Sequence, residues 1–303
     1  MDRRNFGRAA AALAVAWPIA RALAYEDQAQ KNRGPATAIR RWADIEASVG
    51  GRLGVAVLDT ASGELAGHRL DERFPMCSTF KFLAVALVLA RVDAGHERLD
   101  RRIVVPREAL LKWAPVTSKR VGGQGMTVAE LCEAAITVSD NTAANLLLAS
   151  AGGPAGVTGF ARRIGDGVTR LDRIEPELNE ATPGDPRDTS TPRAMAQTLR
   201  SVLLGSALSE AGRAQIVQWM SASTTGAQRL RAGVPFDWRV ADKTGTGELG
   251  TTNDIGLLLP PRRAPLVVVS YLTECRAAAD AREAALADVA RSVTGAATVL
   301  RAS

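Results

Sequence analysis

The run from Phe80 to Val92, FKFLAVALVLARV, is apolar around its whole circumference apart from Lys81 and Arg91. At helical periodicity it has no polar face for water, so the fold must bury it as a central helix. It is too short to cross a bilayer, which takes roughly 20 residues, and no other apolar run is long enough. Polytopic membrane proteins are thereby excluded. The helix opens with Ser78-Thr79-Phe80-Lys81. A spacing of three puts Ser78 and Lys81 side by side on one face, and the helix N-terminus adds positive potential at the serine. A lysine in an apolar setting loses basicity and can take a proton from a serine hydroxyl, which is a weak nucleophile until a base does so. Alone, the pair reads equally as a helix cap with a snorkelling lysine, since about one S-x-x-K arises by chance in a chain of this size.

With 303 residues, 46% of them hydrophobic, the chain can fill one large domain or two smaller ones. Residues 37–49 carry Ile39, Trp42, Ile45 and Val49 at helical spacing. Leu53 to Asp59 and Glu64 to Leu70 read as strands around a Ser62-Gly63 turn. From 106 to 220 the texture is helical. A capping box opens a helix at Thr127, and further helices span Asn141 to Ser150 and Gly153 to Ile164. Thr191-Pro192 begins another, and Ser209 to Met220 is one more. Residues 170–190 show no period and hold Pro176, Pro183, Gly184 and Pro186; a loop that long in a compact domain is usually functional. Trp238 to Asp242, Asp254 to Leu259 and Leu266 to Leu272 read as strands, and Arg276 to about Arg291 as a closing helix. Two early and three late strands bracket the helical middle. The economical fold is α/β of the α+β type: an antiparallel five-stranded sheet flanked by helices, with an inserted all-helical domain. The expected division is 25–76 with 221–303 for the sheet domain and 77–220 for the helical one, including the 170–190 loop.

The net charge of +6 invites a nucleic-acid reading. Half of it comes from Arg3, Arg4, Arg8 and Arg21 against Asp2 in the first 24 residues. The rest is interspersed, without a basic stripe, and only 4% of residues are aromatic; capture of phosphate backbones has no footprint. The first 24 residues instead read as an export signal, with charges, an apolar stretch from Ala9 to Ala20 and the small-residue site Ala22-Leu23-Ala24. Arg3-Arg4-Asn5-Phe6 resembles the twin-arginine type. The expected mature start is Tyr25, and the expected location is periplasmic. The three cysteines, Cys77, Cys132 and Cys275, and the two histidines, His68 and His96, lack metal-ligand spacing. No metal or cofactor is expected, and no G-x-S-x-G elbow is present.

Three further clusters could do chemistry. Ser139-Asp140-Asn141 can cap the helix it opens, or supply a hydroxyl to relay a proton and an amide to orient a carbonyl. Lys243-Thr244-Gly245-Thr246 closes an expected strand; it is either a hairpin turn or a grip for a carboxylate beside an oxyanion hole. Glu175-Pro176-Glu177-Leu178-Asn179 lies in the long loop, where Glu175 and Asn179 could hold one water as general base and amide. Arg173 and Asp188 flank it and could pair across its neck. Two decoys overlap the K-T-G site. Gly245 to Gly250 matches a dinucleotide fingerprint but precedes a strand rather than a helix. Asp242 to Thr246 resembles an ion-pump phosphorylation motif without the membrane spans.

S-x-x-K, S-D-N, E-x-E-L-N and K-T-G occur in this order, 61, 36 and 68 residues apart. Together with Phe74 to Lys81 and Arg170 to Asn179, they make the chain resemble a class A serine β-lactamase over essentially its mature length. The resemblance implies hydrolysis of β-lactam antibiotics through an acyl-enzyme, by a monomer without cofactor. It implies Ser78 as nucleophile, Lys81 and Glu175 in proton transfer, and Ser139 as donor to the lactam nitrogen. Asn141 would bind the substrate amide, and Asn179 the deacylating water. Lys243, Thr244, Gly245 and Thr246 would face the substrate carboxylate, with the Ser78 and Thr246 N–H groups as oxyanion hole. Trp113 would stand at the cleft entrance. Thr252 falls where many members carry a carboxylate-binding arginine, and Arg229 where a subset places a substitute. Cys132 lacks its family partner, with Val85 in that place; Cys77 lacks its own, with Gly247 there. A D,D-peptidase or an acylated sensor is the alternative, and the carboxylate of Glu175 argues against both.

Overall fold

A computed structural model describes residues 35–299; the expected export signal lies outside them. Helix α1 (Pro35–Val49) leads into strands β1 (Arg52–Asp59) and β2 (Leu65–His68). Helices α2 (Phe80–Asp93), α3 (Val128–Thr137), α4 (Asn141–Ser150), α5 (Gly153–Arg163), α6 (Pro192–Leu203) and α7 (Glu210–Ser221) follow. Strands β3 (Arg239–Thr246), β4 (Thr252–Leu259) and β5 (Leu266–Thr273) and helix α8 (Ala279–Val299) complete it.

The five strands form one antiparallel sheet in the order β2-β1-β5-β4-β3. Because strand side chains alternate between faces, each strand serves two cores. Val267, Val269 and Tyr271 of β5 join the core that contains α2. Leu266, Val268 and Leu272 join a second core with Trp42 of α1 and Leu286, Val289 and Ala290 of α8. The central strand β5 is accordingly buried at every position, which is why its sequence, LVVVSYLT, is apolar on both faces apart from Ser270 and Thr273 rather than alternating. Trp42 Nε1 donates to Ser292 Oγ at 2.8 Å, joining the two terminal helices.

Helix α2 is buried from Phe80 through Leu89, as its lack of a polar face requires. Helices α3, α4 and α5 pack around it, and α6 lies on β1 and β5. Thr127 caps α3 in a complete capping box, Thr191 caps α6, and Ser209 caps α7. Several boundaries differ from expectation: the second strand is shorter than Glu64 to Leu70, and β4 begins at Thr252 rather than Asp254. Lys243, Thr244 and Gly245 do not close their strand into a hairpin; β3 runs on to Thr246 and stays paired with β4 to its end. Helix α8 starts and ends later than its Ala-rich composition indicates.

Candidate active site

Ser78 sits in a 3-10 turn, Cys77–Thr79, that feeds directly into α2. Cys77 holds a left-handed backbone, φ 45°, and so does Ser139, φ 58°. Such conformations cost a non-glycine residue about 1 kcal/mol or more and persist where surrounding contacts impose them. The contacts here are specific. Asn253 of β4 donates from Nδ2 to Pro75 O at 2.8 Å and Met76 O at 3.1 Å. A Cβ at Gly245 would lie 2.7 Å from Met76 O and 3.1 Å from Thr79 N. Glycine at that position lets β3 press against the turn that carries the serine.

Lys81 is fully buried. Its Nζ lies 2.6 Å from Asn141 Oδ1, 2.8 Å from Ser139 O and 2.9 Å from Glu175 Oε1. Ser139 Oγ is a fourth oxygen within reach, at 3.2 Å, so the three N–H groups of an ammonium serve four acceptors, one N–H being shared between Ser139 O and Oγ. Burial pushes the lysine below its usual basicity, against the pull of Glu175. The serine proton points elsewhere than the i,i+3 spacing indicates: Ser78 Oγ donates to Glu175 Oε1 at 3.0 Å. Both members of the S-x-x-K pair thus converge on one carboxylate oxygen.

Glu175 is buried at 1% exposure although it belongs to a loop. Asn179 Nδ2 donates to its other oxygen at 2.5 Å, so the two residues expected to cooperate touch directly. Arg173 and Asp188 do pair across the neck, at 2.6 Å. Asp188 Oδ1 also accepts the Asp172 and Arg173 N–H groups at 2.8 and 2.9 Å.

Asn145 was not singled out by sequence, yet it clamps the backbone of Glu175. Its Oδ1 accepts Glu175 N at 3.0 Å and its Nδ2 donates to Glu175 O at 2.8 Å. The available signal was a lone amide in an apolar helix, four residues after Asn141 and so on the same face.

Asp140 caps α4 by accepting Ala143 N, and also takes Val116 N, Thr117 N and the Thr117 hydroxyl. It therefore fixes the S-D-N turn against the segment that carries Trp113. Asn141 N donates to Trp113 O at 3.0 Å, and the Trp113 side chain is 55% exposed.

On β3, Lys243 is fully buried, and its Nζ donates to Ser139 Oγ at 3.0 Å. Burial and the neighbouring Lys81 charge hold it well below its usual basicity. Ser139 Oγ also lies 3.2 Å from Lys81 Nζ. Both its lone-pair directions face lysines, leaving its own proton for another acceptor.

Arg229 reaches the same strand. It donates to Gly245 O at 2.9 Å, Asn253 O at 2.8 Å and Thr246 Oγ1 at 2.8 Å, and pairs with Glu283 at 3.2 Å. It is 6% exposed. Four of the five N–H groups of a guanidinium are thus committed to the protein. Thr252 accepts from Arg282 Nε at 3.0 Å, so a second arginine also lies behind the strand.

The three cysteines are buried free thiols. A Cβ at Gly247 would stand 2.5 Å from Cys77 Sγ, which places Gly247 opposite Cys77 as the resemblance implies. Burial raises the Cys77 and Cys132 thiols above their usual range.

The model of the β-lactamase enzyme family matches residues 35–297. Beta-lactamase CTX-M-8 of Citrobacter amalonaticus is 51% identical over 255 residues, 84% of this chain and 87% of that one. Beta-lactamase OXY-1 of Klebsiella oxytoca is 49% identical over the same shares. Among solved structures, an ancestral Gram-negative class A β-lactamase superposes with a TM-score of 0.84 at 65% identity, covering 85% of this chain and 98% of that one. A putative class A β-lactamase from Rhodopseudomonas palustris gives 0.85 at 62% identity, covering 86% and 99%. Carrying this fold, and half identical to these enzymes over most of its length, the chain belongs to the class A β-lactamases.

Proposed function

We propose that the enzyme's β-lactam hydrolysis runs through Ser78, with penicillins and cephalosporins as substrates, and that the hydrogen bond from Ser78 Oγ to Glu175 Oε1 at 3.0 Å begins it. Oγ attacks the lactam carbonyl while its proton passes to Glu175, the nearest acceptor. The carbonyl oxygen gains the electron pair and is held by the N–H groups of Ser78 and Thr246. When the ring C–N bond breaks, Ser139 gives its proton to the nitrogen. Lys81 and Lys243, both donating to Ser139 Oγ, stabilise the alkoxide character that develops there. Lys81, 2.9 Å from Glu175 Oε1 and 3.2 Å from Ser139 Oγ, then passes a proton to Ser139 and takes the one on Glu175, so both return to their starting states. In the second half, Glu175, again a carboxylate, takes a proton from water, whose oxygen attacks the ester, and gives it to Ser78 Oγ as the ester C–O bond breaks. Asn179 orients the water, Asn141 binds the substrate amide, and Lys243, Thr244 and Thr246 grip the substrate carboxylate. Gly245 keeps that strand close to Ser78, and Trp113 lines the entrance. Opening the lactam destroys the antibiotic, which is the basis of resistance.

Arg229 acts through Thr246 more than by direct contact, because its donors are committed. We further propose export directed by residues 1–24 to the periplasm, a monomeric state, and two lobes divided at 76/77 and 220/221. The deciding experiment mixes purified enzyme with a chromogenic cephalosporin and follows turnover and intact mass together. Sustained turnover with a transient adduct on the Ser78 peptide supports the reading. A single stoichiometric burst with a persistent adduct refutes the deacylating role of Glu175.

A further inference from the structure

Thr244 and Thr246 lie two apart on β3 and so share a face. Thr246 Oγ1 accepts a hydrogen bond from Arg229. Thr244 Oγ1 lies 2.6 Å from Thr225 Oγ1, in the segment between α7 and β3. Between two hydroxyls at that distance lies one proton, so one donates and the other accepts. If Thr244 donates, it turns only lone pairs toward the cleft. If Thr225 donates, Thr244 keeps its own proton for whatever stands before it. A carboxylate can only accept, so an anionic substrate is compatible with the second arrangement alone. Ser223 Oγ stands 3.4 Å behind Thr225 Oγ1, too far for a strong bond, so the Thr225–Thr244 contact dominates.

We infer that Thr225 is a positioning residue for anionic substrates: its hydroxyl donates to Thr244 and turns the Thr244 proton toward the substrate carboxylate. The inference rests on the reading of Lys243, Thr244 and Thr246 as the carboxylate grip. Ser139, Thr244 and Thr246 then follow one rule. Each accepts from behind, from two lysines, a threonine and an arginine respectively, and each has its proton left for the substrate. A hydroxyl that accepts one hydrogen bond also donates a stronger one, by ~10–30%. Thr225 thereby adds to the grip without touching the substrate.

The test compares a chromogenic cephalosporin acid with its methyl ester, which lacks the charge. Thr225→Val keeps the shape and removes the hydroxyl. It should lower kcat/KM on the acid about three- to tenfold, the worth of one hydrogen bond, mainly through KM. The ester should change less than twofold, and Thr225→Ser should restore the acid. Unchanged kinetics on the acid, equal losses on acid and ester, or no rescue by serine overturns the inference. Thr244→Val, measured in parallel, tests the underlying reading. If it slows acid and ester alike, the carboxylate grip itself falls and the inference with it. An acid-selective loss in Thr244→Val without one in Thr225→Val removes the inference alone.

Discussion

Replacing Glu175 by glutamine keeps the side chain's shape and removes its charge. The carboxylate accepts from Ser78 Oγ, Lys81 Nζ and Asn179 Nδ2. An amide offers only one accepting oxygen, so one former acceptor position becomes an N–H group. The fold can absorb this at Asn179, whose Oδ1 has no hydrogen-bond partner among the described residues; turning that amide over presents an acceptor to the new N–H. Lys81 cannot be compensated in the same way. It is fully buried and loses its counter-charge, so its basicity falls further and it becomes neutral. A neutral Lys81 can take the Ser78 proton, so acylation survives. Deacylation has no such substitute and loses its general base, a term worth roughly 10²–10⁴ in rate, or about 3–5 kcal/mol of barrier. Stopped-flow mixing of Glu175→Gln with a chromogenic cephalosporin should show a burst of one equivalent per enzyme. Steady turnover should follow, slower than wild type by two to four orders of magnitude. Intact mass should show the opened substrate on Ser78. Turnover within tenfold of wild type, with no trapped adduct, would refute the assignment. A folded variant with neither burst nor turnover would refute the takeover by Lys81.

Three other outcomes are expected. Asn145→Ala strips both hydrogen bonds from the Glu175 backbone. It should slow deacylation more than acylation and cost about 2–4 kcal/mol in denaturant unfolding, from two unsatisfied buried groups; a variant with unchanged acyl-enzyme lifetime would exclude the clamp. Arg229→Ala should raise KM for penicillins and lower Tm, and Arg229→Lys should not restore KM, because a single ammonium cannot span Gly245 O, Asn253 O and Thr246 Oγ1. Unchanged KM in both variants would rule the role out. Glu46 is partly desolvated, which opposes ionisation, yet Arg69, the Leu53 N–H and His68 lower its pKa from 4.5 to about 2. A carboxyl depressed in the folded state stabilises above its unfolded pKa, and that stability drains away as pH falls from about 4.5 toward 2. Glu46→Gln should therefore lower stability at neutral pH and flatten the acid limb of a Tm-against-pH curve between those values. Parallel wild-type and variant curves there would contradict it.

The groups proposed to do the chemistry stand out in the sequence because each must be one residue type at a fixed interval. Serine and lysine share a helix face only at particular spacings, and a loop carboxylate four residues from an amide is a recognisable pair. The elements were legible for a similar reason: the almost wholly apolar α2, the capping box at Thr127 and the largely apolar β5 each carry a local signal. Asn253 and Thr225 carry none, and Asn145 only that of an amide on the Asn141 face of an apolar helix. Each is an ordinary residue in an ordinary stretch, and its use depends on a neighbour 30, 177 or 19 positions away. The K-T-G segment shows the limit from the other side. Its glycine and threonines resemble a turn, and only pairing with β4 and contact with the nucleophile turn keep it a strand.

That division has a consequence for how the site can be perturbed. Asn145, Asn253, Thr225 and Arg229 all act by occupying a lone pair or an N–H group that would otherwise stay unsatisfied or point the wrong way. Replacing Ser78 should abolish acylation and replacing Glu175 should slow deacylation by orders of magnitude, whereas replacing a supporting residue should tilt a hydroxyl, a loop or a turn and cost far less. Changes in substrate preference should therefore come from the supporting positions. The turn that carries Ser78 is the exception. Its left-handed Cys77 is held in place by Asn253 on β4 and by the close approach of Gly245 on β3. A side chain at Gly245 would push β3 away from Ser78 and widen the oxyanion hole without altering any reacting group. Activity would fall on every substrate together, and that uniformity would distinguish a displaced strand from a lost carboxylate contact.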